Sequence, residues 1–260
     1  MKRFFYLTAV FVLILSINDY ARADGHESDE NNVFNIQVQL CKLNENTTMK
    51  QYDAMVNDYF KWSKKNDVEV IFTRQTALYQ HDSWNNSGYD FLEILASSHQ
   101  LSGKSWDLWL GTNEGQKLNE RWQKLATCNV KMGAAVPVFV NENEDITKDK
   151  DRIVSWNWCS LNEGVTYEAL SEEHTRRAKL LTENPLGIGA WMNLFPRVGS
   201  AEAPGDFAHI VWFPNIEAAQ EYQQNLSNGG WKDYRDYNEN YATCNGDAFM
   251  IEKVLNRPRN

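Results

Sequence analysis

The sequence predicts an α+β protein of two tandem ferredoxin-like (βαββαβ) units, which pack sheet to sheet as an intramolecular α+β barrel. Trp158–Glu163 (WCSLNE) resembles Leu40–Glu45 (LCKLNE), and Ala126–Asn129 (ATCN) is identical to Ala242–Asn245, so two similar units follow each other. Each unit contains the pattern β-α-β-β-α-β. Its two cysteines fall where the first strand of this topology ends and the neighbouring fourth strand begins.

The first unit covers residues 33–140. Residues 33–41 alternate apolar and polar side chains, which predicts a half-buried strand. Thr47 or Thr48 can cap a helix that extends to about residue 66 and carries an apolar stripe. The remaining elements are strands at 68–79 and 89–96, a helical stretch at 99–125 that breaks near Gly111 to Gly115, and a last strand from Cys128 to about 139.

The second unit covers residues 152–256 and repeats this order after a charged linker at 141–151. The pattern predicts strands at 152–159, 186–195, 207–213 and 248–255, helices at 166–184 and 216–226, and an aromatic segment at 231–241. Pro185 ends the first of these helices. His174 lies among Glu172, Glu173, Arg176 and Arg177, so we expect it on a solvated, charged helix face.

The two faces of the first strand differ in both units. Asn35, Gln37 and Gln39 lie on one face, and alignment on the cysteines brings Asn157 opposite Gln39. The other face carries Val38, Leu40, Trp156 and Trp158. We expect the apolar face to lie under the helices and the amide face to lie between the two sheets.

Residues 1–23 have the pattern of a secretory signal. Lys2 and Arg3 precede an apolar run at 4–17, and Ala21-Arg22-Ala23 is a small-x-small cleavage site. Residues 24–32 form a polar lead-in that we expect to be disordered. These features predict a secreted or periplasmic protein with no membrane segment beyond the export signal.

An exported chain with four cysteines is expected to contain two disulfides, and three pairings are combinatorially open. The repeat favours Cys41–Cys128 and Cys159–Cys244, because two copies of one unit should close in the same way. Free buried thiols and a metal site are the alternatives. The latter is disfavoured because no two cysteines are close in sequence and no histidine has ligand spacing from one, so no metal is predicted.

Composition restricts the possible partners. Hydrophobic residues make up 42% of the chain and aromatic residues 13%, including ten Trp, which is typical of a folded globular protein. The net charge of −9, and the lack of a basic cluster interleaved with aromatic residues, argue against a nucleic-acid partner. We expect a monomer that acts as a pseudo-dimer.

Residues 209–213 (HIVWF) predict a strand that ends near Trp212, and a helix follows at once from residue 215. Together with the strand of Asn157, about 100 residues of the second unit resemble the dimeric α+β barrel superfamily, which includes antibiotic-biosynthesis-type monooxygenases and haem-degrading enzymes. The resemblance implies a site of the kind found in some haem-degrading members, with Asn on strand one, Trp near the end of strand three and His on the second helix. Asn157 and Trp212 match, but residues 215–241 contain no His.

These observations lead to three functional hypotheses. The first is an exported protein that binds a small apolar or aromatic ligand between the sheet and helices of the second unit. The expected lining is Trp156, Trp158, Trp191, Trp212 and His209. The second is a monooxygenase-like oxidoreductase, cofactor-independent or haem-dependent, with His209 and Asn157 as its polar catalytic groups. The third is a non-catalytic interaction module. The sequence identifies no cofactor.

Overall fold

The structure is a computed structural model that describes residues 33–80, 88–144 and 151–258. The predicted signal at 1–23, the lead-in at 24–32 and residues 145–150 of the predicted linker lie outside the described residues. In the described part of the chain, no helix is long and apolar enough to cross a membrane.

The elements follow the predicted order with small shifts at their ends. The first half contains β1 (Phe34–Leu43), α1 (Met49–Lys65), β2 (Ile71–Tyr79), β3 (Phe91–Ser97), α2 (His99–Gly111), α3 (Asn113–Leu125) and β4 (Ala126–Val140). The second half contains β5 (Asp151–Leu161), α4 (Tyr167–Glu183), β6 (Ala190–Pro196), β7 (Phe207–Phe213), α5 (Ile216–Asn225), a π-helical turn (Leu226–Gly230), α6 (Trp231–Asn240), β8 (Ala242–Cys244) and β9 (Ala248–Asn256).

Helix caps fix where the helices begin over the sheet. The Thr48 side chain accepts a hydrogen bond from the backbone N–H of Gln51, and the Gln51 side chain accepts one from the backbone N–H of Thr48. The two bonds form a capping box at the start of α1. Thr166 caps α4, and Asn215 caps α5 by accepting from Ala218 N at 2.9 Å. The predicted helix starts are therefore set by local side-chain chemistry.

Eight strands close into one antiparallel barrel. The order around it is β1-β3-β2-β9-β5-β7-β6-β4 and back to β1, with the short β8 paired to the end of β5. Two of the pairings, β2 with β9 and β4 with β6, join the halves of the chain. The halves thus meet through hydrogen bonds between strand edges, because an open edge leaves backbone N–H and C=O groups without partners.

The faces of the barrel are the reverse of our expectation. Ile36, Leu92, Val154 and Trp156 belong to the apolar cluster inside the barrel, and Val38, Leu40 and Trp158 pack against it. The amide face lies outside, under the helices. The prediction was wrong because closure encloses an interior that is lined mainly by apolar side chains, whereas polar groups on the helices supply partners to the amides.

Both disulfides are present. Cys41 lies opposite Cys128 across β1 and β4, and Cys159 lies opposite Cys244 across β5 and β8. The bonds link residues 87 and 85 positions apart. Each bond therefore closes a long loop within its own half and reduces the conformational entropy of the unfolded chain.

Candidate active site

Three neighbouring strands of the second half present a row of polar side chains to the helices. Asn157 of β5 is the register partner of His209 of β7, and His209 is the register partner of Asn193 of β6. Their alternation along each strand directs all three outward. The helices α4, α5 and α6 cover this row, and we call the space beneath them the second-half pocket.

Two helices complete the row with a hydrogen-bonded network. Tyr237 of α6 places its hydroxyl 2.8 Å from Nε2 of His174 on α4 and 3.1 Å from Nε2 of His209. The amide of Asn193 lies 2.8 Å from His174 Nδ1 and 3.0 Å from His209 Nδ1. Trp191 Nε1 donates to His209 Nδ1 at 3.0 Å. Two imidazoles, one phenol and one amide thus form a closed ring of hydrogen bonds.

The donor from Trp191 determines where the protons lie. It requires an unprotonated Nδ1 on His209, so the proton of the neutral ring is on Nε2 and is donated to the Tyr237 oxygen. Tyr237 then donates its own proton to His174 Nε2. His174 Nδ1–H in turn donates to the amide oxygen of Asn193 if the amide is turned over, since the structure places the amide nitrogen toward His174 and the oxygen toward His209. The Trp191 N–H and the Asn193 NH₂ group then share the single lone pair of His209 Nδ1.

Burial keeps both imidazoles uncharged near neutral pH. Burial, together with the positive charge of Arg177, lowers the pKa of His174 to about 4, and the Glu173 carboxylate opposes this shift. The pKa of His209 is also well below its usual value, because the ring is buried and lies beside His174 and Arg177. Burial raises the pKa of Tyr237. The network is therefore neutral and its hydroxyl remains protonated.

The network ends at a cavity of about 190 Å³. Its apolar walls come from α4, the loop before β6, β7, α5 and the π-helical turn. They are formed by Leu180, Leu181, Leu186, Ile188, Val211, Tyr222 and Leu226. Gly187 lets this loop approach α5, since a Cβ there would lie 2.6 Å from Ala218 O. A small apolar molecule fits this space with one end against the polar row.

Asn157 and Arg177 provide polar groups at the cavity. Asn157 lines the cavity, and its Oδ1 accepts from the backbone N–H of Gly246 at 3.0 Å. The Arg177 guanidinium lies 4.9 Å from the Tyr237 ring centroid and donates from Nε to Glu173 at 2.6 Å. A polar group in the cavity would therefore meet the Asn157 amide, the Arg177 cation and the side chains of Asp233 and Asp247, which line the same space.

The chain matches no protein-family model and no curated protein. Among the solved structures similar to it, three illustrate the range of relatives. A "putative monooxygenase" from Lactobacillus acidophilus is 14% identical with a TM-score of 0.50, and the match covers 85% of this chain and 92% of that one. An "anthrone oxidase-like protein" is 12% identical with a TM-score of 0.53, and the match covers 87% of this chain and 93% of that one. A "putative chlorite dismutase" is 10% identical with a TM-score of 0.51, and the match covers 86% of this chain and 95% of that one. The chain shares their α+β barrel fold. At these identities the likeness extends to the fold alone.

The structure divides the predicted site residues between two cavities. His209, Asn157 and Trp191 line the second-half pocket. Trp156 and Trp158 line a separate cavity of about 690 Å³ inside the barrel. Trp212 also points into the barrel, where its Nε1 donates to buried Glu252 at 3.1 Å. The five residues expected to line one ligand pocket are therefore split, because strand alternation places Trp191 and His209 on one face of the sheet and Trp156, Trp158 and Trp212 on the other.

Sequence reasoning missed His174, Tyr237 and Asn193. His174 was expected on a solvated helix face, but it is buried with 3% exposure and contacts Trp191 and His209. Leu170, one turn before it, is equally buried. That i, i+4 spacing is the signal that could have placed His174 on the inner face of α4.

The residues at this pocket do not fit haem. An axial ligand needs a ring nitrogen with a free lone pair, but the nitrogens of His174 and His209 are engaged by Tyr237, Asn193 and Trp191. Trp212, which matched the haem-degrading pattern, lies on the other side of the sheet. His209 also lies within 4.8 Å of the sulfurs of Cys159 and Cys244, but these are bonded to each other and offer no thiolate to a metal.

The first half has a polar row at corresponding strand positions, with different chemistry. Gln39 is the register partner of Glu93, and Glu93 that of Arg74. Arg74 donates from Nε and Nη2 to Glu93 Oε1 at 3.1 and 2.9 Å and from Nη1 to Asp53 at 2.6 Å. Tyr52 donates to Glu93 Oε2 at 2.8 Å. We call this set the first-half charge network.

Proposed function

We propose that the second-half pocket is the active site of a monooxygenase-like oxidoreductase, which acts on a small aromatic or apolar substrate carrying an acidic C–H or O–H group. The observation that carries this proposal is the neutral Tyr237–His174 pair, held by His209 at the end of an apolar cavity. The monooxygenase and anthrone oxidase-like proteins that share the fold support the same class of chemistry.

The proton path follows from the hydrogen bonds. The substrate gives its proton to the Tyr237 oxygen while the Tyr237 hydroxyl proton moves to His174 Nε2. His209 holds the phenol in line from the other side. Because His174 has a lowered pKa, it is unprotonated at neutral pH but weakly basic. The pocket therefore suits a substrate whose conjugate base is stabilised by resonance.

The remaining residues stabilise the charge that develops. An oxygen that becomes anionic when the substrate loses its proton would be stabilised at the end of the cavity nearest Asn157 and Arg177, away from the carboxylates of Asp233 and Asp247 in the same lining. A resonance-stabilised carbanion can reduce dioxygen directly. For a methylene substrate, the balanced conversion is CH₂ plus O₂ to C=O plus H₂O. The apolar walls exclude bulk water from the reactive intermediate.

Oxygen consumption with a panel of phenolic and anthrone-type compounds tests this proposal. Tyr237→Phe should lower kcat/KM by about 10²- to 10⁴-fold, because it removes the group that relays the proton. Tyr79→Phe is the matched control, since Tyr79 is exposed on β2 and outside the pocket. Absence of oxygen uptake with every compound that binds would refute the oxygenase.

A second candidate is non-catalytic binding of a small apolar ligand. The barrel cavity of about 690 Å³, with Trp156 and Trp158 in its wall, favours it. Quenching of tryptophan fluorescence, lost in Trp158→Leu but kept in Tyr237→Phe, would assign binding to the barrel interior. A protein that neither binds nor oxidises any probe would instead match the interaction-module hypothesis.

We also propose that the protein is exported and that its halves are tandem ferredoxin-like units. The two disulfides are suited to an oxidising compartment. The strand orders β4-β1-β3-β2 and β9-β5-β7-β6 support the tandem units. Mass analysis of the mature chain tests removal of residues 1–23. The second half expressed alone should dimerise, since its edges β9 and β6 lose their partners.

A further inference from the structure

The barrel cavity of about 690 Å³ lies at the end of the barrel where the two disulfides are. Both halves of the chain contribute to its apolar walls, which include Leu40, Leu92, Leu194, Met250, Trp156 and Trp158. Ligand sites commonly measure about 300–1,000 Å³ and are mostly apolar. The cavity therefore has the volume and the lining of a ligand site.

A hydrogen-bonded network closes the inner end of the cavity. The Trp156 indole donates to the Gln75 side chain at 2.8 Å, and the Gln75 amide donates to Glu252 at 2.6 Å. Glu252 also accepts from Arg152 and from Trp212. If Trp156 moved into the cavity, the buried Gln75 oxygen would lose its donor, which opposes collapse of the cavity. The network therefore fixes Trp156 as the floor of the space.

The segment between β6 and β7 crosses the other end of the cavity. Val198 O accepts from the Met132 N–H of β4 at 2.9 Å, and the Asp206 N–H donates to Cys159 O of β5 at 2.9 Å. Between these two anchors, the backbone bond runs within the segment itself, from Ala203 to Ser200 at 3.0 Å. Residues 200–204 can thus move without breaking the pairing of the strands, which gives a ligand access to the cavity.

The lining favours a neutral ligand over a charged one. Among the described residues, it contains two charged side chains of opposite sign, Lys131 and Glu202. The Lys131 ammonium donates to Gly199 O at 2.7 Å, and Glu202 is exposed, so both charges lie at the outer end. The apolar walls provide no partner for an ionised group, and burying an unpaired charge is far more costly than burying an apolar surface.

We propose that the barrel cavity is a ligand site in addition to the second-half pocket, and that it takes a neutral, mainly apolar molecule that rests on Trp156. The inference rests on the second candidate function, the binding of an apolar ligand in the barrel, and adds the charge class of that ligand. The two sites are separate, because Trp156 and Trp158 lie on the opposite face of β5 from Asn157.

Two fluorescent probes with the same ring system test the charge class. N-phenylnaphthylamine is neutral, and anilinonaphthalene sulfonate is the same molecule with one added sulfonate group. Each is titrated into the full chain while probe emission is recorded. The neutral probe should bind about tenfold more tightly or better, because the sulfonate would have to be buried without a partner. Equal or tighter binding of the sulfonate would overturn the proposal.

Ala248→Phe tests whether the neutral probe lies inside the barrel. Ala248 lines the cavity and is the register partner of Trp156, so a phenyl ring there fills the space above the floor. It should weaken binding of the neutral probe by about tenfold or more, since a close-packed interior leaves no room for both rings. Ala201→Phe is the matched control, because it adds the same ring at an exposed position outside the lining. It should bind as tightly as the unaltered chain.

The outcomes separate this inference from the functions on which it depends. If neither probe binds, both the inference and the second candidate function are wrong. If the neutral probe binds but Ala248→Phe keeps full affinity, apolar binding stands and the barrel site alone is overturned. Circular dichroism checks that the variant is folded. Val38→Phe, which fills the cavity from β1, gives the same test if Ala248→Phe is unfolded.

Discussion

The two polar rows under the helices occupy corresponding places in the sheet but use opposite chemistry. Glu93 in the first half is fixed by a guanidinium and a phenol, whereas His209 in the second half shares neutral hydrogen bonds with a phenol, an amide and an indole. A buried ion pair holds its protons firmly, since moving one leaves an uncompensated charge. A neutral imidazole–phenol chain can pass a proton on. The two rows thus differ in whether a proton can move without leaving a buried charge uncompensated.

Removing a disulfide should cause the largest loss of unfolding free energy, and the loss should be equal in both halves. Loops of 87 and 85 residues predict a loss of about 4–5 kcal/mol of unfolding free energy for each bond removed. Cys41→Ser/Cys128→Ser and Cys159→Ser/Cys244→Ser should therefore match in urea unfolding. Only the second pair should also reduce turnover, because Cys244 lines the second-half pocket. Unequal losses would mean that one half is already ordered in the unfolded state.

Breaking each row at one residue should distinguish charged from neutral chemistry. Arg74→Leu leaves the Glu93 carboxylate buried without its cation and should cost about 3–5 kcal/mol. Asn193→Leu, at the corresponding position of β6, removes only neutral hydrogen bonds and should cost about 1–3 kcal/mol. Urea unfolding at neutral pH measures both. Equal costs would contradict the assignment of a charged first row and a neutral second row.

The second row should make stability depend on pH. The folded-state pKa of His174 is about 4, below the usual 6.5, so below pH 6.5 the unfolded chain takes up a proton that the folded chain does not. The contribution of His174 to the free energy of unfolding is fully present above pH 6.5. It should fall by about 3 kcal/mol as the pH decreases to 4. His209 acts in the same direction. The difference between the unaltered chain and His174→Gln isolates this effect, and parallel pH profiles would show that His174 titrates normally.

Removing one hydroxyl from each row should give the smallest difference in unfolding free energy between the two halves. Tyr52 donates to a carboxylate and Tyr237 to an imidazole. Tyr52→Phe should cost about 2 kcal/mol and Tyr237→Phe about 1 kcal/mol, because hydrogen bonds to charged groups are stronger. Thermal unfolding of both variants measures the two costs. A larger loss in Tyr237→Phe would indicate that the second row carries charge.

The sequence predicted the elements well where side-chain alternation was strong. The strand 207–213 was predicted with its observed bounds, and the start of α1 followed from the Thr48 cap. The short β8 was missed. It is separated from β9 by residues 245–247, where Gly246 adopts a positive φ of 92° and Asn157 holds its N–H. That break depends on a contact with β5, and such a contact is not visible in the local pattern.

The candidate site was predicted only in part. Asn157 follows from the resemblance to the α+β barrel superfamily and His209 from its place in the strand before Trp212, whereas Tyr237 and His174 come from helices whose inner faces depend on packing. Tyr237 is only 4% exposed although its helix is otherwise mainly charged. Its position follows from the contact of α6 with α4 over the sheet, which joins segments distant in sequence.

By itself, the sequence determined the order of the elements, the division of each strand into two faces, and the pairing of the cysteines within each half. These features depend on local spacing and on the internal similarity of the chain. Only the tertiary structure decided which face turns inward and which imidazole, phenol and amide meet. That choice depends on closing the barrel through β2–β9 and β4–β6, which creates an enclosed apolar interior and leaves the amides to the helices.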